Sequence, residues 1–133
     1  MDKQPRYEVI DFTNWEELNL PVSGVREKKW LKNADTGETG LFKYPKTHYS
    51  GDYWAEKIAY ELGKLTDIRV ARTELGRYDG RLGSFSYYVL DEGEYLLEGY
   101  SIIGDVLDFS TSSEIYEKIG LNYSIELLKN VLM

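Results

Sequence analysis

Alternation of hydrophobic and polar residues marks several short segments of this chain as strands. Tyr7 to Phe12 (YEVIDF) alternates and is rich in β-formers, which predicts a first strand. Thr13 to Gly24 then reads as polar and turn-rich, closing on Pro21, Ser23 and Gly24. Arg26 to Asn33 (REKKWLKN) predicts a second strand, and Ala34 to Gly40 supplies a turn through its Asp and Gly content. Leu41 to Tyr44 predicts a third, stopped by Pro45, which has no N–H to give a sheet ladder. From Asp52 the period changes: Trp54, Ile58, Leu62 and Leu65 recur at helical spacing as one apolar stripe, with Ser50 or Asp52 as candidate caps. Ile68 to Tyr78 and Leu82 to Leu90 read as strands around Asp79-Gly80, a two-residue hairpin signal because both positions tolerate φ > 0. In the second of these, Phe85, Tyr87 and Val89 share one face, and Ser84, Ser86 and Tyr88 the other.

Beyond Asp91-Glu92-Gly93-Glu94 the pattern changes again. Leu96 to Leu107 is mixed. Thr111 to Ile119 predicts a helix with Ser112 or Ser113 as cap and Gly120 as stop, and Tyr123 to Leu132 a second with Ile125, Leu128 and Leu132 on one stripe. That last helix meets no stop signal, which creates the expectation that more protein follows. The whole predicts an α+β fold: an antiparallel sheet of about five strands packed by a helix, then two C-terminal helices. The division expected is 1–92 and 93–133, forming one compact unit.

Composition narrows the function classes. Hydrophobic residues make up 42% of the 133, enough for a packed core rather than a disordered chain. Net charge is −7 and no Lys/Arg block outweighs its acidic neighbours, which argues against nucleic-acid and anionic-membrane partners. There is no cysteine and one histidine, His48, so neither a disulfide framework nor a thiolate or histidine metal site is expected. No membrane-spanning run or signal peptide is evident, and a cytoplasmic location is the expectation.

Candidate chemistry rests on a few charged positions. Lys43 lies on the strand face opposite Phe42 and Tyr44; such a lysine is ordinarily solvated, but it can also carry its point charge to a phosphate. Glu56 points about 200° away from Trp54 around its helix, on a face shared with Ala59, Tyr60 and Gly63. An exposed glutamate is the commoner outcome; a carboxylate reaching the strand lysine is the functional one. Pro21 to Lys28 matches neither G-x-G-x-x-G nor a Walker motif, though its glycine could let backbone N–H groups approach an anion. His48 has no catalytic partner at motif spacing, and Trp30 and Trp54 are most simply core.

Four segments taken in order, Gly24-Val25-Arg26-Glu27-Lys28, Leu41-Phe42-Lys43-Tyr44-Pro45, Trp54-Ala55-Glu56-Lys57-Ile58-Ala59 and Glu74 to Ser84, resemble the N-terminal lobe of HipA-like serine/threonine kinases. The resemblance is to short members without the extra N-terminal subdomain, and it covers roughly Tyr7 to Leu132. It implies that Gly24 and Lys28 belong to the loop over the nucleotide phosphates, that Lys43 and Glu56 form the phosphate-orienting pair, and that Tyr88, Val89, Leu90 and Asp91 line the adenine pocket. It implies ATP with Mg as cofactor of the parent kinase, a protein substrate, and a possible toxin–antitoxin setting. The serine that is autophosphorylated in HipA falls at Pro21, with Ser23 displaced, so loop phosphorylation does not carry over. Neither D-x-x-x-x-N nor a metal-binding D-[FN]-G occurs between Asp91 and Met133; Asp105 and Asp108 do not fit. No catalytic or metal residue is therefore assigned, and the chain alone is expected to be inactive. A stand-alone, non-catalytic binding or inhibitory module with the same fold is the alternative. Self-association is expected through Leu121 to Leu132, where apolar stripes would lack a covering lobe.

Overall fold

Alternating segments become strands only where neighbours satisfy their backbone groups, and the pairing found is wider than alternation predicts. A computed structural model describes residues 7–97 and Lys129. Its strands are β1 (Val9–Asp11), β2 (Glu16–Leu18), β3 (Lys28–Lys32), β4 (Thr39–Lys43), β5 (Thr73–Tyr78) and β6 (Arg81–Tyr87), with helix α1 (Asp52–Gly63) between β4 and β5. They form one six-stranded sheet in the order β1-β5-β6-β4-β3-β2.

Two features correct the expectation of about five antiparallel strands. The polar stretch after Phe12 contains a strand: β2 pairs antiparallel with β3, Glu17 opposite Leu31. Its Glu-Glu-Leu sequence carries no alternation, and it holds an edge where charged side chains face water, with Glu17 Oε2 2.7 Å from Lys29 Nζ. The sheet is also mixed, because β1 runs parallel to β5, with Ile10 opposite Gly76. The two outer strands, β1 and β2, are joined by only Phe12 to Trp15. A flat sheet would separate them by about 24 Å at the usual inter-strand spacing, and five residue steps reach at most about 18 Å. The sheet must therefore curl, and the connection crosses its concave face.

That face holds the core. Phe12, Leu31, Phe42, Tyr44, Tyr78 and Phe85 are buried together, with Ile10, Trp15 and Tyr87 packed around them. Phe12 stacks on Phe85 at 4.3 Å between centroids, and Trp15 meets Phe85 edge-on at 5.0 Å. Glycines make room for these rings. A Cβ on Gly76 would lie 2.7 Å from the Phe12 ring, and one on Gly83 2.7 Å from the Phe42 ring. The Asp79-Gly80 turn has φ of 48° and 75°, the left-handed pair that a two-residue hairpin needs.

Helix α1 departs from its sequence pattern. Trp54, Ile58, Leu62 and Leu65 are 41%, 52%, 60% and 82% exposed, so the apolar stripe faces outward. The inward row is Tyr53, Glu56, Lys57, Tyr60 and Glu61, and Lys57 is its buried member. The contacts of this row are polar: Lys57 Nζ reaches Glu74 and Thr73 O on β5. Trp54 is thus not core, and Trp30 is half-buried at a groove. Neither proposed cap bonds the first turn; the N-cap is Gly51, and Ser50 Oγ binds Thr47 O and Asp52 instead.

By contact the chain divides into Met1–Val89 and Leu90–Met133. The helices expected over Thr111–Ile119 and Tyr123–Leu132, and the segment expected to self-associate, lie outside the described residues apart from Lys129, which is helical and exposed. Among the described residues no helix is long and apolar enough to cross a membrane.

Candidate functional site

The face opposite the aromatic core carries a polar row running strand to strand. Lys28 is opposite Lys43, Lys43 opposite Ser84, and Ser84 opposite Leu75. Tyr44 N donates to Glu27 O at 3.1 Å, which makes the neighbouring Lys28/Lys43 pair the non-hydrogen-bonded kind, with side chains at their closest. Like charges so placed repel. Lys43 is balanced: its Nζ lies 2.9 Å from Glu56 Oε1, both side chains about one-third exposed. Lys28 has no ion-pair partner among the described residues. The Ser84 hydroxyl, buried beside Lys43, has no hydrogen-bond partner there either.

The loop before β3 bends over this row. Gly24 adopts φ +83°, and Lys28 Nζ lies 3.2 Å from where its Cβ would be, so a side chain here would be strained and would press on the lysine. Two ion pairs fix the loop. Arg26 Nη1 reaches Asp52 Oδ2 at 3.1 Å, tying it to the start of α1. Glu27 takes a bidentate pair from Arg81 at 2.8 and 2.9 Å, and that guanidinium stacks on Tyr44 at 3.8 Å. The side-chain hydrogen bond from Arg81 holds the Glu27 carboxyl below its usual range. Hydrogen bonds, led by the Lys46 amide, do the same for Asp52, with Ser50 adding to it.

Glu56 is aimed by the residue after it. Lys57 Nζ lies 2.9 Å from Glu61, 2.9 Å from Glu74 and 3.0 Å from Thr73 O, with the Tyr7 and Tyr60 rings at 5.1 and 5.0 Å. Burial by itself would depress the Lys57 pKa and is the largest single influence. The bonds to Glu74 and Glu61 together outweigh it, and the net shift is upward. This clamp of α1 on β5 turns the Glu56 face toward Lys43.

Among the residues singled out from sequence, Gly24, Lys28, Lys43 and Glu56 lie together. Tyr88 lies at the other end of β4 and β6, where it lines an apolar groove of about 380 Å³ with Leu20, Pro21, Trp30 and Thr39. The Tyr88 N–H is used by Thr39 O at 2.8 Å, while the Val89 backbone makes no hydrogen bond among the described residues. Leu90 and Asp91 belong to the second unit, where Asp91 N donates to Glu94 Oε2 at 2.9 Å. His48 is exposed on the loop after β4. Sequence reasoning missed Glu27, Lys57 and Arg81. The Lys57/Glu61 spacing of four was readable as a helix ion pair. The Glu27–Arg81 pair spans 54 positions and had no local signal.

No family model matches the sequence. Among solved structures, the chain is similar to the Helicobacter pylori proinflammatory kinase CtkA, with a TM-score of 0.65 and 21% identity, over 79% of this chain and 38% of that one. The fold is kinase N-lobe-like. At that identity the likeness shows the fold alone. Among curated proteins, 71 residues are 34% identical to a quinoprotein ethanol dehydrogenase of Pseudomonas aeruginosa, 51% of this chain but 10% of that protein. The chain spans well under two thirds of either protein, and a local match of that extent carries no argument about activity.

Proposed function

We propose that the Lys28–Lys43–Glu56 row is the polyphosphate-binding element of a nucleotide site, in the N-lobe of a HipA-like serine/threonine kinase. The observation that carries this reading is charge placement. Two lysines sit side by side at the closest cross-strand spacing, only one balanced by a carboxylate among the described residues, under a loop bent at Gly24. A phosphate bridging both ammonium groups relieves that repulsion, and Glu56 keeps Lys43 extended toward it. The groove of Trp30 and Tyr88 offers an apolar slot for the base, and the Val89 backbone, unbonded among the described residues, follows Tyr88 in the chain. The described residues include no cluster of three Asp, Glu or His side chains able to hold a metal. Magnesium would accompany the nucleotide or be held by residues outside this set.

On this reading the domain orients ATP and leaves transfer to a catalytic aspartate for which this sequence has no motif. The test is an amide-shift titration of the chain with Mg-ATP. Shifts at Gly24, Lys28, Lys43 and Val89, weakened in Lys28→Ala and Lys43→Ala, are expected at millimolar affinity. Identical responses in the wild type and both variants would overturn the assignment, and robust autophosphorylation by the 133 residues alone would refute the expected inactivity.

A further inference from the structure

Beyond Lys43, at the opposite end of β4 and β6 from Trp30 and Tyr88, lies a second groove of about 550 Å³. Pro45 to His48, Tyr53 at the start of α1, Arg77, and Gly80 to Leu82 around the β5–β6 turn form its walls. None of Gly24, Lys28, Lys43 or Glu56 contributes. In a chain of net charge −7, its lining contains Lys46, Arg77, Arg81 and the single histidine, and no carboxylate.

The cations are placed by the fold. Arg81 lies opposite Tyr78, and its guanidinium is committed to Glu27 and stacked on Tyr44 at the core face, so the cations left to the groove are Arg77 and Lys46. Arg77 Nη1 donates to Gly80 O at 3.2 Å, which sets its fork beside the turn, with Asp11 at the paired position on β1. The amide of Lys46 is fixed by Asp52 at 3.0 Å, while its ammonium has no ion-pair partner among the described residues. The surrounding carboxylates are largely engaged: Glu27 by Arg81, Asp52 by Arg26 and the Lys46 amide, and Asp11 by the Thr13 amide, although Asp11 also feels the Arg77 charge across β1 and β5. Asp79, within the turn, is the remaining acidic neighbour in the hairpin. The Arg77 guanidinium and the Lys46 ammonium beside an apolar wall of Pro45, Tyr53 and Leu82 suit a compact dianion carried on an apolar ligand.

We propose that this groove is a second anion site, separate from the Lys28–Lys43 row, taking a dianionic phosphoryl group as a phosphorylated side chain or a free phosphate monoester. Tyr53 is one helical turn before Glu56, so occupancy bears on the helix that holds Lys43.

The experiment is an amide-shift titration of the whole chain with inorganic phosphate, with phosphoserine, and with a leucine-flanked phosphoserine peptide beside its unphosphorylated twin. Shifts are expected at Lys46 to His48, Tyr53, Arg77 and Gly80 to Leu82. Affinity should fall by about tenfold or more in Lys46→Ala/Arg77→Ala, both exposed positions, and persist in Lys28→Ala. Tighter binding of the phosphopeptide than of phosphoserine identifies a phosphorylated side chain as the source; equal binding identifies a free monoester. The proposal is overturned if shifts are confined to Gly24, Lys28 and Lys43, if the double variant responds like the wild type, or if the unphosphorylated peptide binds equally well.

Discussion

The two faces of the sheet differ in almost every respect. On the concave face, Phe12, Phe42, Tyr44, Tyr78 and Phe85 exclude water, and glycines in the strands let rings touch backbone. On the other, the row is Lys28, Lys43 and Ser84, and the helix laid over it presents glutamates and a lysine while turning its apolar residues outward. Stability and candidate chemistry are therefore carried by opposite sides of the same strands. Adjacent residues such as Phe42 and Lys43 should fail in different ways when replaced.

The largest effect is expected on the aromatic side. Phe85 is fully buried and contacts Phe12, Trp15 and Tyr87. Phe85→Ala should cost about 3–5 kcal/mol, a large part of the stability of a small domain, read as a lower urea midpoint. Gly76→Ala tests the same face from the other direction. Its new methyl would meet the Phe12 ring, and overpacking of this kind costs about 1–3 kcal/mol. If either variant left the midpoint unchanged while altering nucleotide binding, the division between faces would be wrong.

These predictions also mark what the sequence allowed. Alternation located β3, β4 and the β5–β6 hairpin, because each has a buried side whose residues are apolar. It placed Phe42 and Lys43 on opposite faces for the same reason. It could not find β2, since an edge strand of Glu-Glu-Leu is specified by its partner and not by its own pattern. It found the helix and the Glu56 face but took Trp54 for core, because nothing in the local pattern shows that Lys57, clamped by Glu61 and Glu74, lies on the inward side. In the candidate site, Lys43 and Glu56 were legible through their order along the chain. The pairs that tether the loop, Arg26–Asp52 and Glu27–Arg81, are long-range and became visible only with the fold.

A middle-sized effect belongs to Lys57, the one described residue of the polar side that is both charged and buried. Lys57→Met removes the clamp and leaves Glu74 and Glu61 without their shared cation; a loss of about 2 kcal/mol is expected, within the range for hydrogen bonds to charged groups. Its pKa is raised in the folded chain, so the stabilisation is complete below the unfolded value of about 10.4 and is lost as pH rises through the folded value. Wild type should therefore weaken in alkali more steeply than Lys57→Met. Parallel pH profiles would show that the clamp is not what orients α1. On the outer row of the same helix, Ile58→Glu should stay within about 0.5 kcal/mol, since that side chain is already half exposed.

The smallest change in stability, and the sharpest test of the comparison, is expected at the Lys43–Glu56 pair. Both side chains are about one-third exposed, and ion pairs of that kind contribute roughly 0–1 kcal/mol. Glu56→Gln keeps the shape of the side chain and one hydrogen-bond acceptor but removes the charge that holds Lys43 in place. The urea midpoint should barely move. Mg-ATP affinity should fall, because an unrestrained lysine loses its fixed position over the phosphates and must be ordered each time it binds. Lys43→Ala should weaken binding further, having removed the cation itself. The order of effects matters as much as their size: stability unchanged in both, binding reduced in Glu56→Gln and reduced more in Lys43→Ala. If Glu56→Gln bound Mg-ATP as well as wild type while Lys43→Ala did not, the lysine would act without its partner. The ion pair would then be a feature of helix packing, and the polar face would owe its affinity to Lys28 and Lys43 alone.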